Sequence, residues 1–422
     1  MPSNDIKTNW AGNYEYGTRH VSMPETVEQI QQLVAQSKKL KVLGTRHSFN
    51  GIADSDEHLI SLERLPRVVD IDSERQRVSI SANVTYGELC RQLHPAGFAL
   101  HNLASLPHIS VAGACATATH GSGVNNKSLA GAVSEMEIVT ASGDVVTVSR
   151  EQSGDAFVGM VVHLGGLGVI TRLQLDLIPA FEMYQVIYEQ LPFTELEAHF
   201  DAIMSSAYSV SLFTNWQTEN IPQVWLKTRV EGNVTPQPEF FGAKAAQKPL
   251  HPIAGFSAET CTEQMGVPGA WHERLPHFRF EGTPSAGNEL QSEYFVPRHH
   301  AIEALRAVHS LRDKIAPHLW VSEIRTVAAD DFWMSPCYQR DSVAIHFTWK
   351  PNWAEVRQVL PQIESALAPF DARPHWGKLF SIPPQKLQAL YEKLPDFRQL
   401  LQHYDPQGKF RNAFLDTHLF GA

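Results

Sequence analysis

No stretch of this chain approaches the roughly 18 consecutive apolar residues of a membrane-spanning helix. No block of lysine and arginine interrupts its net charge of −10 either. The first absence argues against a membrane partner, and the second against nucleic acid or an anionic lipid surface. Cysteine is scarce: Cys90, Cys115, Cys261 and Cys337 are scattered, with no Cys-x-x-Cys pair. That pattern suits free thiols in a reducing compartment better than a disulfide framework, and no metal site is expected. The opening Met-Pro-Ser-Asn-Asp-Ile-Lys has neither the charged nor the apolar region of a secretory signal, so a cytoplasmic protein is expected. The G-x-G-x-x-G of a Rossmann unit and the P-loop are both missing. With 422 residues, 43% hydrophobic and 19% charged, the chain reads as a soluble globular protein of two domains. No coiled-coil or apolar stripe advertises a partner surface, so a monomer is expected.

What is present concentrates in two stretches. Lys41-Val-Leu-Gly-Thr-Arg-His-Ser-Phe-Asn-Gly51 is a short apolar strand that breaks at Gly44 and presents His47 at its end. Ser110-Val-Ala-Gly-Ala-Cys-Ala-Thr-Ala-Thr-His-Gly-Ser-Gly123 is a run in which side chains almost vanish. Such a run lets backbone amides approach a ligand closely, and a diphosphate rewards clustered N–H donors most. Alone, His47 reads as a turn or core histidine, and the run as tight packing. Together they suggest a dinucleotide held by its phosphates and tethered at its other end.

Local patterns give the organisation. Apolar residues at 27, 30, 33 and 34 mark one helix face after Pro24. Short strands follow at Val42-Leu43, Leu59-Ile60, Val68 to Ile71 and Val78 to Ile80, with a helix from Tyr86 to Leu93 closed by Gly97. Met136 to Val148 reads as a hairpin around Ser-Gly-Asp. Gly168 to Leu177 reads as a strand ended by Pro179. From about Phe181 tryptophans and other aromatics rise, and residues 232–259, rich in proline, read as loop. In Asp341 to Trp349, residues 343, 345, 347 and 349 form a core face, and Ala344, His346 and Thr348 a small polar one. In Trp320 to Val327, Glu323 and Arg325 share a largely apolar face, costly to bury unless paired or facing a ligand. The histidines of Trp271-His-Glu-Arg-Leu-Pro-His277 read as a surface or pocket-rim loop.

His47-Ser48 after Gly44, Ser105-Leu-Pro-His-Ile-Ser-Val-Ala-Gly113, Thr119-His-Gly121 and Gly165-Gly-Leu-Gly-Val-Ile170 together resemble the vanillyl-alcohol oxidase superfamily of FAD enzymes. Within it, Thr8-Asn-Trp-Ala-Gly-Asn13, Glu323-Ile-Arg-Thr-Val-Ala-Ala-Asp330, His375-Trp-Gly-Lys378 and Gly408-Lys-Phe-Arg-Asn-Ala-Phe414 look like the alditol oxidases, across nearly the whole chain. The resemblance implies an α+β, two-domain fold. An FAD-binding domain (1–180) of small sheets and helices would be followed by a sheet-based substrate cap (181–370) and a segment (371–422) returning to the first domain.

It also implies FAD bound covalently through His47, an open-chain polyol as substrate and O2 as acceptor. The cofactor residues would be Val42, Leu43, Gly44, Thr45, Arg46, His47, Ser48, Ser105, Ser110, Gly113, Thr117, Thr119, His120, Gly121, Ile170 and His375. Ser105, Glu323, Arg325, Thr348 and Lys378 would bind substrate, with Arg325, Lys378, Glu323 and His346 catalytic. Arg325 and Lys378 would stabilise charge on the reacting oxygen; the proton acceptor would be Lys378 or His346. Many relatives carry glycine immediately before the anchoring histidine. Here that position is Arg46, which a left-handed φ would strain. Ala104 would lie at the flavin edge and admit oxygen. The competing readings are an aldonolactone oxidase or dehydrogenase of the same superfamily and, from another class, a non-catalytic flavin or sugar carrier.

Overall fold

The computed structural model describes residues 7–232, 234–282 and 288–421. The amphipathic face read at 27–34 forms the helix Val27–Gln36, which buries Ile30 and Val34. Its cap is Thr26, whose side chain accepts from Gln29 N, so the helix opens after Thr26 rather than at Pro24. Beside it, Val21–Ser22, Leu59–Ser61 and Lys41–Leu43 make a small parallel sheet with Leu59–Ser61 central. A five-stranded antiparallel sheet follows in the order Val69–Asp72, Arg77–Ser81, Val169–Asp176, Val133–Val139, Val145–Ser149. The hairpin turns at Gly143, where φ is +90°, a conformation that suits a residue without Cβ.

The helix Tyr86–Leu93 is closed at its start by a capping box between Thr85 and Glu88. Gly97, at φ +84°, ends the turn beyond it. Pro179 does not simply stop a strand. Val169–Asp176 ends earlier, and Ile178–Pro179 pairs with Phe98–Ala99.

Strands between 182 and 374 build one antiparallel ten-stranded sheet. At its centre lie, side by side, Ser209–Thr214, Leu319–Val327, Ser342–Trp349 and Leu290–Pro297. The loop expected at 232–259 is only partly loop. Glu239–Phe240 and Ala243–Ala245 pair with each other and extend the sheet edge through Glu182–Pro192. Proline there is compatible with strands because an edge leaves one row of N–H groups unpaired.

Two seams position the site. Gly123 N donates to Thr326 O at 2.9 Å and Ala328 N to Asn126 O at 2.9 Å, which stitches the end of the small-residue run to the end of Leu319–Val327. From the tail, Phe49 N donates to Gly377 O at 2.7 Å, and the Asn50 amide donates to the carbonyls of Trp376 and Lys378. His47 and Lys378, 331 positions apart in sequence, therefore belong to one cavity wall.

Candidate active site

The strand Lys41–Leu43 delivers the loop 44–48 into a cavity that runs between the small-residue run and the large sheet. Val42, Leu43, Gly44, Thr45, Arg46, His47, Ser110 and Gly113 line both this cavity and an adjoining one, which Ile170 helps to close. Ser48, Ala104, Ser105, Thr117, Thr119, His120 and His375 line the first alone. Close approach explains two glycines. A Cβ on Gly44 would stand 2.8 Å from Ser110 Oγ, and one on Gly113 2.9 Å from the same atom. Gly121 lines neither cavity. A Cβ there would meet Leu103 O at 2.3 Å, so the backbone beside His120 packs too closely for any side chain.

Both ring nitrogens of His47 are buried without a hydrogen-bond partner, and Trp10 stacks on the ring at 5.2 Å. Burial pushes the ring's pKa down to about 4, which keeps the imidazole neutral with a free lone pair. A buried polar pair with no partner costs free energy unless a ligand meets it. Arg46 does adopt the left-handed conformation, at φ +63°. The strain is offset in part because its carbonyl accepts from Trp10 N at 2.8 Å and its guanidinium donates to Thr8 O at 3.2 Å. Lys41, fully buried behind this loop, donates to Gly165 O at 2.9 Å, and burial lowers its pKa to about 7.

On the sheet side, register puts chemistry in a row. Glu293, His346 and Glu323 are paired neighbours on three adjacent strands, with Thr348 next to Val321 and Gln291. The alternation read in Ser342–Trp349 holds: Val343, Ile345, Phe347 and Trp349 are buried in the core, and His346 and Thr348 face the cavity. Glu323 and Arg325 both face the cavity, and Arg325 Nη1 donates to Ser105 Oγ at 3.3 Å. Lys378 reaches the same wall from the tail.

Sequence reasoning missed Glu293. It is completely buried and is the hub of the cluster. Its Oε1 accepts from Arg325 Nη2 at 2.9 Å, and its Oε2 from Lys378 Nζ at 2.6 Å. The signal was a lone acid within the strand-like stretch Leu290–Pro297, where a buried carboxylate needs a partner. Lys378 Nζ also stands 2.9 Å from His346 Nδ1, and His346 Nε2 stands 3.0 Å from Thr348 Oγ1. An amine donating to Nδ1 leaves the hydrogen on Nε2, so neither ring nitrogen of His346 is free. Burial pushes that ring down to about 3, hence neutral.

His277 was missed as well. It lies on a loop that lines the cavity, but buried rather than at the surface. Its ring is buried against Phe213 and Trp225, with Nε2 2.8 Å from Glu323 Oε1. The turn before it is held by Lys227, whose Nζ donates to the carbonyls of Arg274, Leu275 and Pro276 at 2.7–2.8 Å. Three acceptors consume three N–H bonds, so this group is an ammonium, although burial opposes the charge.

Orphaned ring nitrogens at one end, a glycine-lined loop in the middle and an adjoining second cavity fit an FAD dinucleotide, which these loops would hold. Fold and cradle together define a flavin-dependent oxidoreductase of the vanillyl-alcohol oxidase class. Residues 18–149 match the family model described as FAD binding domain, and residues 288–418 that described as D-arabinono-1,4-lactone oxidase. Among solved structures, a cholesterol oxidase from B. sterolicum superposes with a TM-score of 0.80 over 98% of this chain and 96% of that one. At 14% identity that likeness concerns the fold alone. An alditol oxidase from a Streptomyces species is 49% identical over 98% of this chain and 99% of its own length. L-gulonolactone oxidase from Scyliorhinus torazame is 25% identical over 98% of each chain. The chain belongs to the alditol oxidase family.

Proposed function

We propose that this protein is an FAD-dependent oxidase that converts the terminal primary alcohol of an alditol, of the xylitol or sorbitol class, to the aldehyde of an aldose, with O2 reduced to H2O2. The observation that carries this reading is the convergence of Ser105, Glu323, Arg325, His346, Thr348 and Lys378 on the cavity that His47 also lines. An open-chain polyol has a hydroxyl on every carbon and little apolar surface. It is held best by a row of donors and acceptors, each left unpaired if its hydroxyl is missing. A simple carrier for a small neutral ligand needs no such group of charges.

When bound, FAD supplies a two-electron acceptor that oxygen regenerates. The chain's own part is to orient the alcohol and move its proton. Arg325 presents a permanent cation to the reacting oxygen. Glu323, held ionised by Arg325 and hydrogen-bonded to His277, accepts from neighbouring hydroxyls and sets the register of the polyol. Of the two candidate proton acceptors, Lys378 fits better than His346. Both His346 nitrogens are engaged, whereas burial lowers the Lys378 pKa and its contacts with Glu293 and His346 leave one valence for the substrate.

Covalent attachment through His47 is part of this reading, supported by its unpartnered, neutral ring. So is oxygen access past Ala104, a small side chain on the cavity wall. The division into 1–180, 181–370 and 371–422 is supported at its first boundary by the separation of the sheets at residue 182, while Arg373–Pro374 still pairs in the large sheet beyond the second. A cytoplasmic location is supported by the four buried, free cysteines. No helix among the described residues is long and apolar enough to cross a membrane.

The test is the visible spectrum of the purified protein before and after xylitol is added without oxygen. A flavin band that bleaches and returns on aeration is expected. A band unmoved by xylitol and sorbitol but bleached by L-gulono-1,4-lactone would replace this reading with a lactone oxidase.

A further inference from the structure

The surroundings of Glu293 contain one contact that the reaction outlined above does not use. His120 Nδ1 stands 2.8 Å from the carbonyl of Gly121, so that nitrogen carries a hydrogen and donates it. The other nitrogen, Nε2, stands 3.2 Å from Glu293 Oε1. His120 and Glu293 are 2% and 0% exposed, so no solvent layer screens the contact. With the hydrogen on Nδ1, a neutral His120 would aim a lone pair at a carboxylate lone pair. Two acceptors at that distance in a buried site repel. A second hydrogen, on Nε2, turns the repulsion into a buried ion pair, at 3.2 Å but without the alignment of a hydrogen bond.

We infer that His120 and Glu293 hold one proton between them, with His120 an imidazolium, and that this couple tunes the proton affinity of Lys378. The inference rests on the reading of Lys378 as proton acceptor. Glu293 alone would bind the Lys378 proton tightly through Oε2. Shared among His120, Arg325 and Lys378, its single negative charge holds each cation less. Lys378 then gives up its own proton more readily and is free to accept the substrate's.

The other groups facing this cluster do not supply the missing hydrogen. Arg325 is committed to Oε1 at 2.9 Å and to Ser105. His346, on Ser342–Trp349, donates its Nε2 hydrogen to Thr348 and receives one from Lys378. Glu323, on Leu319–Val327, is paired with His277 and Arg325. His375, beside Lys378, accepts from Gly377 N at 3.1 Å through Nδ1, and its ring centre is 6.3 Å from that of His120. Desolvation works against charge on His120 and on balance lowers its pKa, while the Glu293 carboxylate 3.2 Å from Nε2 favours the charge; the Gly121 contact fixes the tautomer that turns Nε2 to that carboxylate. His120 is thus a positioning residue that acts through Glu293.

The sign differs between the two partners, which makes the test sharp. Lys378 must be unprotonated to accept, so the hydride-transfer rate rises with pH through its pKa. In His120→Asn, a neutral donor replaces the imidazolium, Glu293 holds Lys378 more firmly, and the rising limb moves up by about one pH unit. In Glu293→Gln, the counter-charge is gone and the limb moves down by about as much. Stopped-flow flavin reduction by xylitol reads both. Independently, nitrogen-15 spectra of the histidine-labelled wild-type holoenzyme read His120 directly, whether or not either variant folds. Both ring nitrogens protonated at pH 7, with limbs displaced in opposite directions, would support the couple. An unprotonated His120 nitrogen at pH 7, or limbs that stay put or move together, would overturn it. A wild-type flavin that xylitol never reduces would instead defeat the functional reading and leave the nitrogen spectra to judge the couple.

Discussion

His277 Nε2 and Glu323 Oε1 are 2.8 Å apart, and the histidine belongs to a turn that Lys227 clamps from beneath with three hydrogen bonds. Burial keeps the His277 ring neutral, its pKa lowered to about 4, so it donates to Glu323 without neutralising it. Removing the donor in His277→Phe should leave Glu323 charged but free to rotate. We expect KM for xylitol to rise by about tenfold, the equivalent of one hydrogen bond, with kcat changed less. Steady-state kinetics would check this, and an unaltered KM would show that Glu323 is not a substrate ligand.

Lys227→Met keeps the volume of the stem and removes the three donors. The carbonyls of Arg274, Leu275 and Pro276 would lose a buried partner together. We expect a loss of about 3 kcal/mol in urea unfolding, and a KM increase similar to that of His277→Phe, because both disturb the same support of Glu323.

His47→Ala should leave FAD removable by acid precipitation, whereas the wild-type protein should retain its colour in the pellet. An acid-stable flavin in the variant would transfer the anchor to another residue. Arg46→Gly is the companion experiment. Relieving φ +63° should stabilise the protein by about 1 kcal/mol in thermal unfolding while attachment is retained.

Asp330 ties Ser128 and Ser335 together in the buried seam between the small-residue run and the large sheet. Burial raises its pKa from 3.8 to about 6, against the hydrogen bonds from the serines. Because the folded value lies above the unfolded one, the fold favours the protonated acid. This contribution is fully present below about pH 4 and is lost as pH rises to 6, by about 3 kcal/mol. Asp330→Asn should flatten the dependence of unfolding free energy on pH between 4 and 6.5, and an unchanged slope would refute the assignment.

Ala104→Pro should slow peroxide formation with FAD content unchanged, read by reoxidation of reduced enzyme in aerated buffer. A rate equal to wild type would remove Ala104 from the oxygen path.

Much of this architecture is local in origin and could be read along the chain. The period of Val27–Gln36, the capping box of Thr85 and Glu88, the hairpin at Gly143 and the alternation in Ser342–Trp349 each depend on neighbours a few residues apart. His47 and the small-residue run stand out in the sequence for the same reason: each is a short stretch that carries its whole signal. Arg325, Lys378, His346 and Thr348 were assigned through family resemblance, and the structure adds that they share one wall.

Only the tertiary structure decided what the charges do. Glu293 looks like one acid in a mixed strand until sheet register sets it beside His346 and the tail brings Lys378 within 2.6 Å. His277 looks like an exposed loop residue until its loop, clamped by Lys227, sets it 2.8 Å from Glu323. Gly121 is one small residue in a run until the Leu103 carbonyl is found where its Cβ would be. Hydropathy and spacing determine which face of an element is buried, because those forces act within it. Which buried charges meet depends on the packing of segments tens of residues or more apart, and desolvation makes each such meeting decisive.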